Sequence, residues 1–306
     1  MAVIVNPHAC EILRGIPFLD EVIAYPKKKS EIIAVIRRIW RFDLGICLDI
    51  RYRSPLVMWL ARIPVRGGVG PKSKVFMTHA TERYCEDDRR RYKSYWLVDN
   101  IKRSLGLSLE GDFEKLYIAQ ATTETKKKVT DLLQEVGMDD LPFIVISPFS
   151  NLRLKDWPIT RYRELVDMIW KEYGVKTIIV GTKDMIPCLD GIGEINGVVN
   201  LVGKTTIEQM AEIIRRSQIV VAGCSSALHI AAAHKRPFIA LYGPTLPVQY
   251  APHTDGIILE SSTACRPHTY LGGNCPNCKD KRCMQEILAE EVFDAFRTLW
   301  NKYKFK

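Results

Sequence analysis

The chain has 306 residues, of which 47% are hydrophobic and 26% are charged. This length suits two domains, and the composition is that of a globular protein rather than a disordered or fibrous one. No apolar run approaches the roughly 18 residues needed to cross a bilayer. No basic and apolar leader opens the sequence, so the expected location is the cytoplasm.

Basic residues are concentrated in the first half of the chain. The net charge is +9, and residues 27–103 contain 19 Lys or Arg against 8 Asp or Glu, which gives that stretch a charge of +11. A basic stretch attracts an anionic partner such as a phosphorylated glycan or an anionic lipid surface, although a solvated surface is the simpler explanation. The sequence has no zinc-finger spacing and no RNA-binding aromatic signature, so no nucleic-acid partner is expected.

The first half predicts alternating strands and helices. Strands are expected at residues 2–5, 21–25 and 44–48, and helices at residues 10–15, 30–40, 53–61 and 94–105. The apolar segment of residues 55–61 lies between Arg53 and Arg62, a pattern compatible with contact at the inner membrane. Burial of this segment in the protein core is the favoured alternative.

The second half predicts a parallel sheet. Short apolar strands are expected at residues 141–147, 175–181, 198–203, 219–223 and 237–243, and helices at residues 158–173, 206–217, 225–234 and 286–303. Continuous apolar strands that alternate with amphipathic helices indicate a sheet covered on both faces. We therefore expect a doubly wound α/β domain over residues 140–284, with a hinge near Gly137.

Polar side chains follow the predicted strand that ends at Ser147. Ser150, Asn151 and Lys155 lie in this loop. Parallel sheets bind ligands at the carboxyl ends of their strands, and a lysine there would balance a diphosphate without a metal. An exposed lysine with no ligand is the alternative.

Small residues connect a later strand to a helix. The sequence Gly223-Cys224-Ser225-Ser226 opens this helix, and His229 lies in its first or second turn. Small residues let a ligand approach the backbone, and the free N–H groups of a helix N-terminus suit phosphate. A tightly packed turn with a buried histidine is the alternative.

The order of the motifs resembles a known family. A strand with a following serine and Lys-x-Trp-Pro, then Leu-Val-Gly-Lys-Thr, His-x-Ala-Ala-Ala and Gly-Pro-Thr, occur in sequence over residues 140–293. This order resembles glycosyltransferase family 9, which includes the ADP-heptose:lipopolysaccharide heptosyltransferases. Residues 12–23 resemble the second strand-helix-strand passage of that family more weakly.

The resemblance implies a fold of the GT-B type with two Rossmann-like domains and parallel sheets. Residues 1–139 would form the acceptor-side domain, and residues 140–306 the nucleotide-sugar-binding domain with a cysteine-rich loop at 265–283 and a terminal helix. Met1 falls where the family enters its second strand, so the first strand of the N-terminal domain is expected to be missing.

The resemblance also implies a reaction. A heptose or related sugar would pass, with inversion, from a nucleotide sugar such as ADP-heptose to a lipopolysaccharide core or a similar lipid-linked, phosphorylated glycan. No cofactor is required for such catalysis, because a lysine and helix dipoles meet the phosphate charge. The substrate-binding set implied for this chain is Ser150, Asn151, Lys155, Cys224, Ser225, Ser226 and His229.

Two departures from the family keep an alternative function open. Cys224 stands where the family has an aspartate expected to touch the donor sugar, and the family's catalytic-base segment has no counterpart here. Asp20 and Asp49 are candidate bases by charge alone, so the catalytic base is unassigned. The alternative is a non-catalytic, degenerate nucleotide-sugar-binding protein or partner subunit. A dehydrogenase is disfavoured, because no Gly-x-Gly-x-x-Gly follows a strand.

A cluster of cysteines precedes the last helix. Cys265, Cys275, Cys278 and Cys283 supply four thiolates, the number that tetrahedral zinc or iron requires. The family resemblance also implies iron in this segment for a subgroup. Reduced thiols that pack a loop are the alternative, since the spacing is not that of a standard zinc ribbon.

Protein purified without chelators is expected to carry about one equivalent of zinc or iron, as measured by elemental analysis, if these four thiolates bind one ion. Cys275→Ser should remove the metal, whereas Cys10→Ser, outside the cluster, should not. Metal-free wild-type protein would rule the site out.

Overall fold

The computed structural model describes residues 1–26, 28–48, 52–69, 71–81, 91–138, 141–189, 191–264, 266 and 281–305. The chain forms two compact units, Met1–Lys115 and Leu116–Lys306. Within the described ranges, no helix combines the length and the apolar character that a membrane span requires.

The first unit contains two small parallel sheets. Its strands are β1 (Ala2–Val5), β2 (Glu21–Ala24), β3 (Leu44–Cys47), β4 (Val65–Val69) and β5 (His79–Thr81). Its α-helices are α1 (Cys10–Leu13), α2 (Ile32–Arg38), α3 (Arg53–Leu60) and α4 (Lys93–Leu105). Strand β1 pairs with β2, and β3, β4 and β5 form the second sheet in chain order.

Strands β4 and β5 were not predicted from the sequence. Strand β4 reads Val-Arg-Gly-Gly-Val, and its glycines interrupt the apolar run that marks a buried strand. The structure explains one of these glycines: a Cβ on Gly67 would lie 2.6 Å from Leu105 of α4, so this position lets the helix pack directly on the strand. Strand β5 has only three residues, which is too short for a periodic signal.

Helix α3 divides into a buried and an exposed face. Pro55, Val57 and Met58 are buried in the core of the first unit. Trp59 and Leu60 are 49% and 41% exposed. The prediction that this helix is buried in the core therefore holds for one of its faces. The other face exposes apolar side chains.

The second unit is built on a six-stranded parallel sheet. Its strands are β6 (Phe143–Ser147), β7 (Lys176–Ile179), β8 (Val198–Asn200), β9 (Val220–Gly223), β10 (Phe238–Tyr242) and β11 (Gly256–Glu260). The order across the sheet is β8-β7-β6-β9-β10-β11, and every pairing is parallel. This is the doubly wound order, so the predicted fold of this half is confirmed.

Helices connect these strands and cover the sheet. They are α5 (Thr123–Glu135), α6 (Ile159–Tyr173), α7 (Ile207–Arg216), α8 (Ser226–Ala233), α9 (Pro247–Tyr250), α10 (Arg282–Gln285) and α11 (Ala289–Tyr303). Helix α11 packs on α6, and its predicted inward residues Val292, Phe296 and Leu299 are at most 3% exposed. Helix α5 was not predicted. It begins with six polar residues, Thr-Glu-Thr-Lys-Lys-Lys, which hide the apolar periodicity of a helix.

An ion-pair network around a buried carboxylate of α7 joins that helix to α5. Glu212 is 1% exposed and forms ion pairs with Arg215 at 2.7 Å and Arg216 at 2.8 Å. The guanidinium of Arg216 donates to Thr130 Oγ1 at 2.9 Å and to the carbonyl of Lys126 at 3.0 Å. A buried charge is stable only when it is paired and hydrogen-bonded, and this network meets that condition.

His234 lies at the end of α8 beside this network. Burial and the charges of Arg215 and Arg236 together lower the pKa of His234 to about 4, against the opposing effect of Glu212. The imidazole is therefore neutral in the folded protein over the range in which an ordinary histidine becomes protonated.

The free energy of unfolding is expected to fall as pH drops from 6.5 to about 4, because the unfolded chain binds a proton at His234 that the folded protein excludes. The loss should be on the order of 2 kcal/mol after allowance for partial exposure. Urea denaturation across this pH range measures it. His234→Gln should flatten the dependence by that amount, and His8→Gln, at an exposed histidine, should not; equal slopes in all three proteins would contradict the assignment.

Candidate functional site

The loops that contain the predicted site residues meet at one edge of the six-stranded sheet. Strands β6 and β9 are neighbours, and Ser147 lies opposite Ala222 in their parallel register. The chain leaves these two strands toward opposite halves of the sheet. Such a switch point is where doubly wound sheets bind their ligands, at the carboxyl ends of the strands.

The loop after β6 is held by its own polar residues. The backbone N–H of Ser150 donates to Asp156 Oδ1 at 2.9 Å, and the Ser150 hydroxyl lies 2.9 Å from the carbonyl of Leu152 and 3.2 Å from the same carboxylate oxygen. The side chain of Ser150 therefore shapes the loop. Asn151, its neighbour, is exposed at the surface of the loop.

Asp156 organises this loop, and sequence reasoning gave it no role. Its carboxylate is 8% exposed and lies 3.6 Å from the Arg153 guanidinium. Burial raises the pKa of Asp156, while the Ser150 hydrogen bonds and the charges of Lys281 and Arg153 oppose that shift. The only sequence signal was its position inside the Lys-x-Trp-Pro motif.

Trp157 anchors the end of the same loop. Its ring is 2% exposed and packs edge-on against Tyr162, with 4.7 Å between ring centroids. Its indole N–H donates to the carbonyl of Ile287 at 2.9 Å. Because Trp157 is buried and hydrogen-bonded, it fixes the position of the backbone from which the Lys155 side chain extends.

Lys155 reaches across to the loop after β9. Its ammonium lies 3.7 Å from Cys224 Sγ, although the two residues are 69 positions apart in sequence. A Cβ on Gly223 would lie 3.2 Å from the Lys155 carbonyl, so glycine at this position allows the two loops to approach closely. Cys224 is partly exposed, and its thiol is not part of a disulfide.

The N-terminus of α8 opens at the same place. Ser225 is the N-cap residue, but its side chain makes no capping hydrogen bond. Its hydroxyl is buried and has no hydrogen-bond partner among the described residues. Ser226, the first residue of α8, is exposed. The first N–H groups of a helix have no partner within the helix, so this end can bind an anion.

The loop after β10 adds a second buried hydroxyl. Thr245 Oγ1 is buried and has no hydrogen-bond partner within the described part of the chain, while its carbonyl accepts from Arg266 at 3.1 Å. The Arg266 side chain is 7% exposed and also pairs with Glu260 at 2.7 Å. Buried polar groups in native proteins normally have partners, so the unpaired hydroxyls at this edge indicate a ligand position.

His229 lies one turn into α8, on the same side as Lys155. Burial lowers the pKa of His229, and the positive charge of Lys155 lowers it further. The imidazole is therefore neutral at physiological pH. A neutral imidazole offers one donor and one acceptor to a ligand.

These groups together form a cationic cradle with free N–H groups and hydroxyls. We call this set the donor cradle, because a nucleotide-sugar donor is its predicted ligand; its members are Ser150, Asn151, Lys155, Cys224, Ser225, Ser226, Thr245 and His229. Its positive charge comes from Lys155 and from the helix dipole, and its hydroxyl and imidazole groups suit a polar ligand such as a sugar phosphate. Whether each of these residues contacts a ligand stays a prediction.

The candidate bases differ in how far the structure describes them. Asp20 is exposed and pairs with the amino group of Met1, whose hydrogen bond and charge lower the pKa of Asp20. Asp49 lies outside the described residues.

Cys283 is the described member of the predicted metal cluster; Cys265, Cys275 and Cys278 lie outside the described residues. Its side chain is fully buried, and its sulfur would lie 3.1 Å from a Cβ on Gly243. Glycine at the end of β10 thus lets α10 approach the sheet edge. Within the described ranges, no three His, Cys, Asp or Glu side chains are placed to hold a metal ion.

The sequence matches one protein family over most of its length. The model of glycosyltransferase family 9 (heptosyltransferase) matches residues 34–271. Lipooligosaccharide heptosyltransferase 2 of Haemophilus influenzae is 30% identical over 231 residues, which are 69% of this chain and 63% of that protein. The chain belongs to glycosyltransferase family 9. It spans about 63% of the length of that curated relative.

Two solved structures share the fold. A family 9 glycosyl transferase from Veillonella parvula superposes with a TM-score of 0.83 at 21% identity, covering 98% of this chain and 88% of that one. E. coli ADP-heptose lps heptosyltransferase II gives a TM-score of 0.76 at 18% identity, covering 99% and 90%. The predicted fold class, α/β with parallel sheets of the GT-B type, is confirmed.

Ser225→Ala is expected to raise the free energy of unfolding of the ligand-free protein by up to about 1 kcal/mol, because it removes a buried hydroxyl that has no partner. Thr206→Ala is the matched control. Thr206 caps α7 in a capping box with Gln209, so its loss should cost about 1 kcal/mol. Urea denaturation compares the two; equal losses would mean that Ser225 is a structural cap and not a ligand group.

Proposed function

We propose that this chain is a glycosyltransferase that moves a heptose or related sugar from ADP-heptose, or a similar nucleotide sugar, to a lipopolysaccharide core or similar glycan. The observation that carries the proposal is the donor cradle at the β6–β9 switch point, where Lys155 and the N-terminus of α8 face one ligand position. Family membership and the names of the relatives support the heptosyl donor.

The nucleotide sugar is assigned to the second unit. A sugar diphosphate carries charge that must be met without bulk water, and Lys155 together with the free N–H groups of α8 meets it. ADP as the nucleotide is supported by the E. coli structural relative, which is named an ADP-heptose enzyme. The domain roles are those that the family resemblance implies: residues 140–306, within the second unit, bind the donor, and residues 1–139, which include the first unit, bind the acceptor.

The transfer is a single displacement with inversion. The acceptor hydroxyl oxygen forms a bond to the anomeric carbon while the bond from that carbon to the diphosphate oxygen breaks. The electron pair leaves with ADP, and Lys155 and the α8 dipole stabilise the charge that develops there. The proton of the acceptor hydroxyl passes to a general base that is unassigned. This chemistry needs no metal ion.

His229 and Cys224 contact the sugar side of the donor in this proposal. The neutral imidazole hydrogen-bonds a sugar hydroxyl or a phosphate oxygen without adding charge. The Cys224 thiol replaces a carboxylate expected in the family, so it contacts the sugar through a weaker hydrogen-bonding group. Donor preference in this chain is therefore expected to depend on Cys224.

The acceptor is a lipid-linked, phosphorylated glycan. The basic stretch of the first unit, with a charge of +11 over residues 27–103, complements its phosphates. The reaction takes place in the cytoplasm, with peripheral contact at the inner membrane where such an acceptor is exposed.

Cys224 supports a second candidate function, that of a non-catalytic nucleotide-sugar-binding protein. Loss of the family's aspartate at a sugar-contacting position favours a protein that binds the nucleotide sugar without transferring it. Donor binding would then be intact, and no product would form from any acceptor.

Calorimetric titration of ADP-heptose, ADP, and UDP- and GDP-sugars tests the donor site. ADP-heptose is expected to bind to the wild type, and Lys155→Ala should weaken that binding roughly ten- to a hundredfold, because a charged hydrogen bond to phosphate is lost. Lys171→Ala is the control, since Lys171 pairs with Asp167 on the surface of α6. Equal binding by all three proteins would contradict the cradle.

Incubation with ADP-heptose and heptose-deficient lipopolysaccharide then separates the two functions. Release of ADP that depends on the acceptor supports transfer, and the anomeric configuration of the product reports inversion. Binding without acceptor-dependent release would favour the non-catalytic protein.

A further inference from the structure

A cluster of cationic side chains lies where α7 and α8 end in the second unit. The two helices pack on each other, and each leads into a strand that starts at the amino-terminal edge of the sheet, β9 after α7 and β10 after α8. The donor cradle lies at the opposite, carboxyl-terminal edge. We call the new set the helix-end cluster; its members are Glu212, Arg215, Arg216, His234 and Arg236.

The backbone of Arg236 is fixed by the end of α8. The N–H of Lys235 donates to the carbonyl of Ala232 at 2.9 Å, and the N–H of Arg236 donates to the carbonyl of Ala231 at 2.8 Å. These two bonds form a Schellman motif, in which Lys235 has a φ of 55°. The Arg236 side chain therefore extends from a rigid helix end.

The Arg236 side chain has no partner among the described residues. Its Nε atom is buried without a hydrogen bond, and its guanidinium forms no ion pair within the described ranges. Burial lowers the pKa of Arg236, and the positive charge of Arg215 lowers it as well. A buried cation costs free energy unless it is paired and hydrogen-bonded, so this position is unfavourable in the ligand-free protein.

The two arginines of α7 share one carboxylate. Arg215 binds Glu212 through Nε and Nη2, both at 2.7 Å, and its Nη1 has no partner in the described part of the chain. Arg216 binds the same carboxylate at 2.8 Å and donates its other nitrogens to α5. Together with Arg236, three guanidinium groups face one carboxylate, which leaves a surplus of two positive charges.

His234 completes the cluster without adding charge. Arg215, Arg236 and Glu212 are the charged groups that act on its ring, and the imidazole is neutral because its pKa is lowered to about 4. A neutral imidazole offers one donor and one acceptor to a ligand. Protonation would add a further positive charge at the same place.

We propose that the helix-end cluster binds a phosphate group, held between Arg236 and the free Nη1 of Arg215. The fork of a guanidinium matches two phosphate oxygens, and such charge-assisted pairs are strong. A divalent oxyanion would balance the surplus of two charges and give the buried Nε of Arg236 an acceptor.

Two simpler explanations account for the cluster less well. Cations near helix C-termini are stabilised by the helix dipole, which suits Arg215 and Arg216 in the last turn of α7. Arg236 follows the end of α8, and its side chain donates to no described carbonyl, so it is not a cap. A water molecule could accept from its Nε, but water would leave the charge unbalanced.

The melting temperature in sulfate, compared with chloride at equal ionic strength, tests the site. Sulfate is the probe because it stays divalent at every pH used. The Lys155→Ala protein serves as the parent, so that anion binding at the donor cradle is weakened. Sulfate at about ten times its dissociation constant should raise the melting temperature by roughly 3–6 °C.

Arg236→Met in the same parent removes the charge and keeps the aliphatic stem. It should bind sulfate at least roughly tenfold more weakly, the loss expected for a charged hydrogen bond, and should melt in chloride at an equal or higher temperature. The matched control is Arg297→Met on α11, where Arg297 pairs with Glu172 at 2.9 Å. This control should retain the full sulfate shift.

Three results would overturn the proposal. They are the absence of a sulfate shift in the parent, an equal shift in Arg236→Met, and a lower melting temperature of Arg236→Met in chloride. The last result would mean that the guanidinium stabilises the ligand-free protein.

The pH dependence of sulfate binding is a second readout. An anion beside His234 favours the protonated ring, so sulfate affinity should rise roughly threefold or more as pH falls from 6.5 to 5. His234→Gln should abolish this rise and still bind sulfate at neutral pH. A pH-independent affinity in the parent would place the ion elsewhere and overturn the proposal.

Inorganic phosphate and glucose 6-phosphate, compared at neutral pH, distinguish the source of the phosphate group. Tighter binding of the ester supports a phosphorylated sugar as the ligand, and equal or tighter binding of the free ion supports inorganic phosphate. Binding of neither would overturn the proposal. None of these measurements involves sugar transfer, so failure here leaves the proposed transfer reaction standing.

Discussion

The parallel pairing of β6 with β9 is the contact on which the candidate site depends. The register places Ser147 opposite Ala222, so the loops that follow the two strands start side by side. Glycine at position 223 lets those loops approach until Lys155 lies 3.7 Å from Cys224. Every group of the donor cradle is attached to one of these loops, to the helix that follows, or to the neighbouring strand β10.

At this sheet edge, groups placed for ligand binding lower the stability of the ligand-free protein. Asp156 is buried to hold the loop in place, and its charge is supported by Ser150 and Arg153. The hydroxyls of Ser225 and Thr245 are buried without partners among the described residues, which costs free energy in the absence of a ligand. Preorganised groups of this kind bind more tightly because they need no rearrangement when the ligand arrives.

The two units present positive charge in different ways. In the donor cradle of the second unit the charge is focused on Lys155 and a helix N-terminus. In the first unit it is spread over arginines next to exposed tryptophan, and two of these arginines lie in strained backbone. A focused charge suits one small anion, while a spread charge with apolar neighbours suits an extended anionic surface.

The sequence by itself determined the sheet type and the family of this protein. Continuous apolar runs such as Phe143–Ser147 predict buried parallel strands, because only a strand covered on both faces needs apolar residues at every position. The tertiary structure alone decided which residues meet: it joins Lys155 to Cys224 across 69 positions and turns Ser150 inward to Asp156. It also revealed β4, whose glycines hide the strand from any propensity argument, since their role depends on a helix packed against them. The local sequence determines secondary-structure propensity and the hydrophobic pattern. Contacts between distant segments form only when the strands are ordered in the sheet.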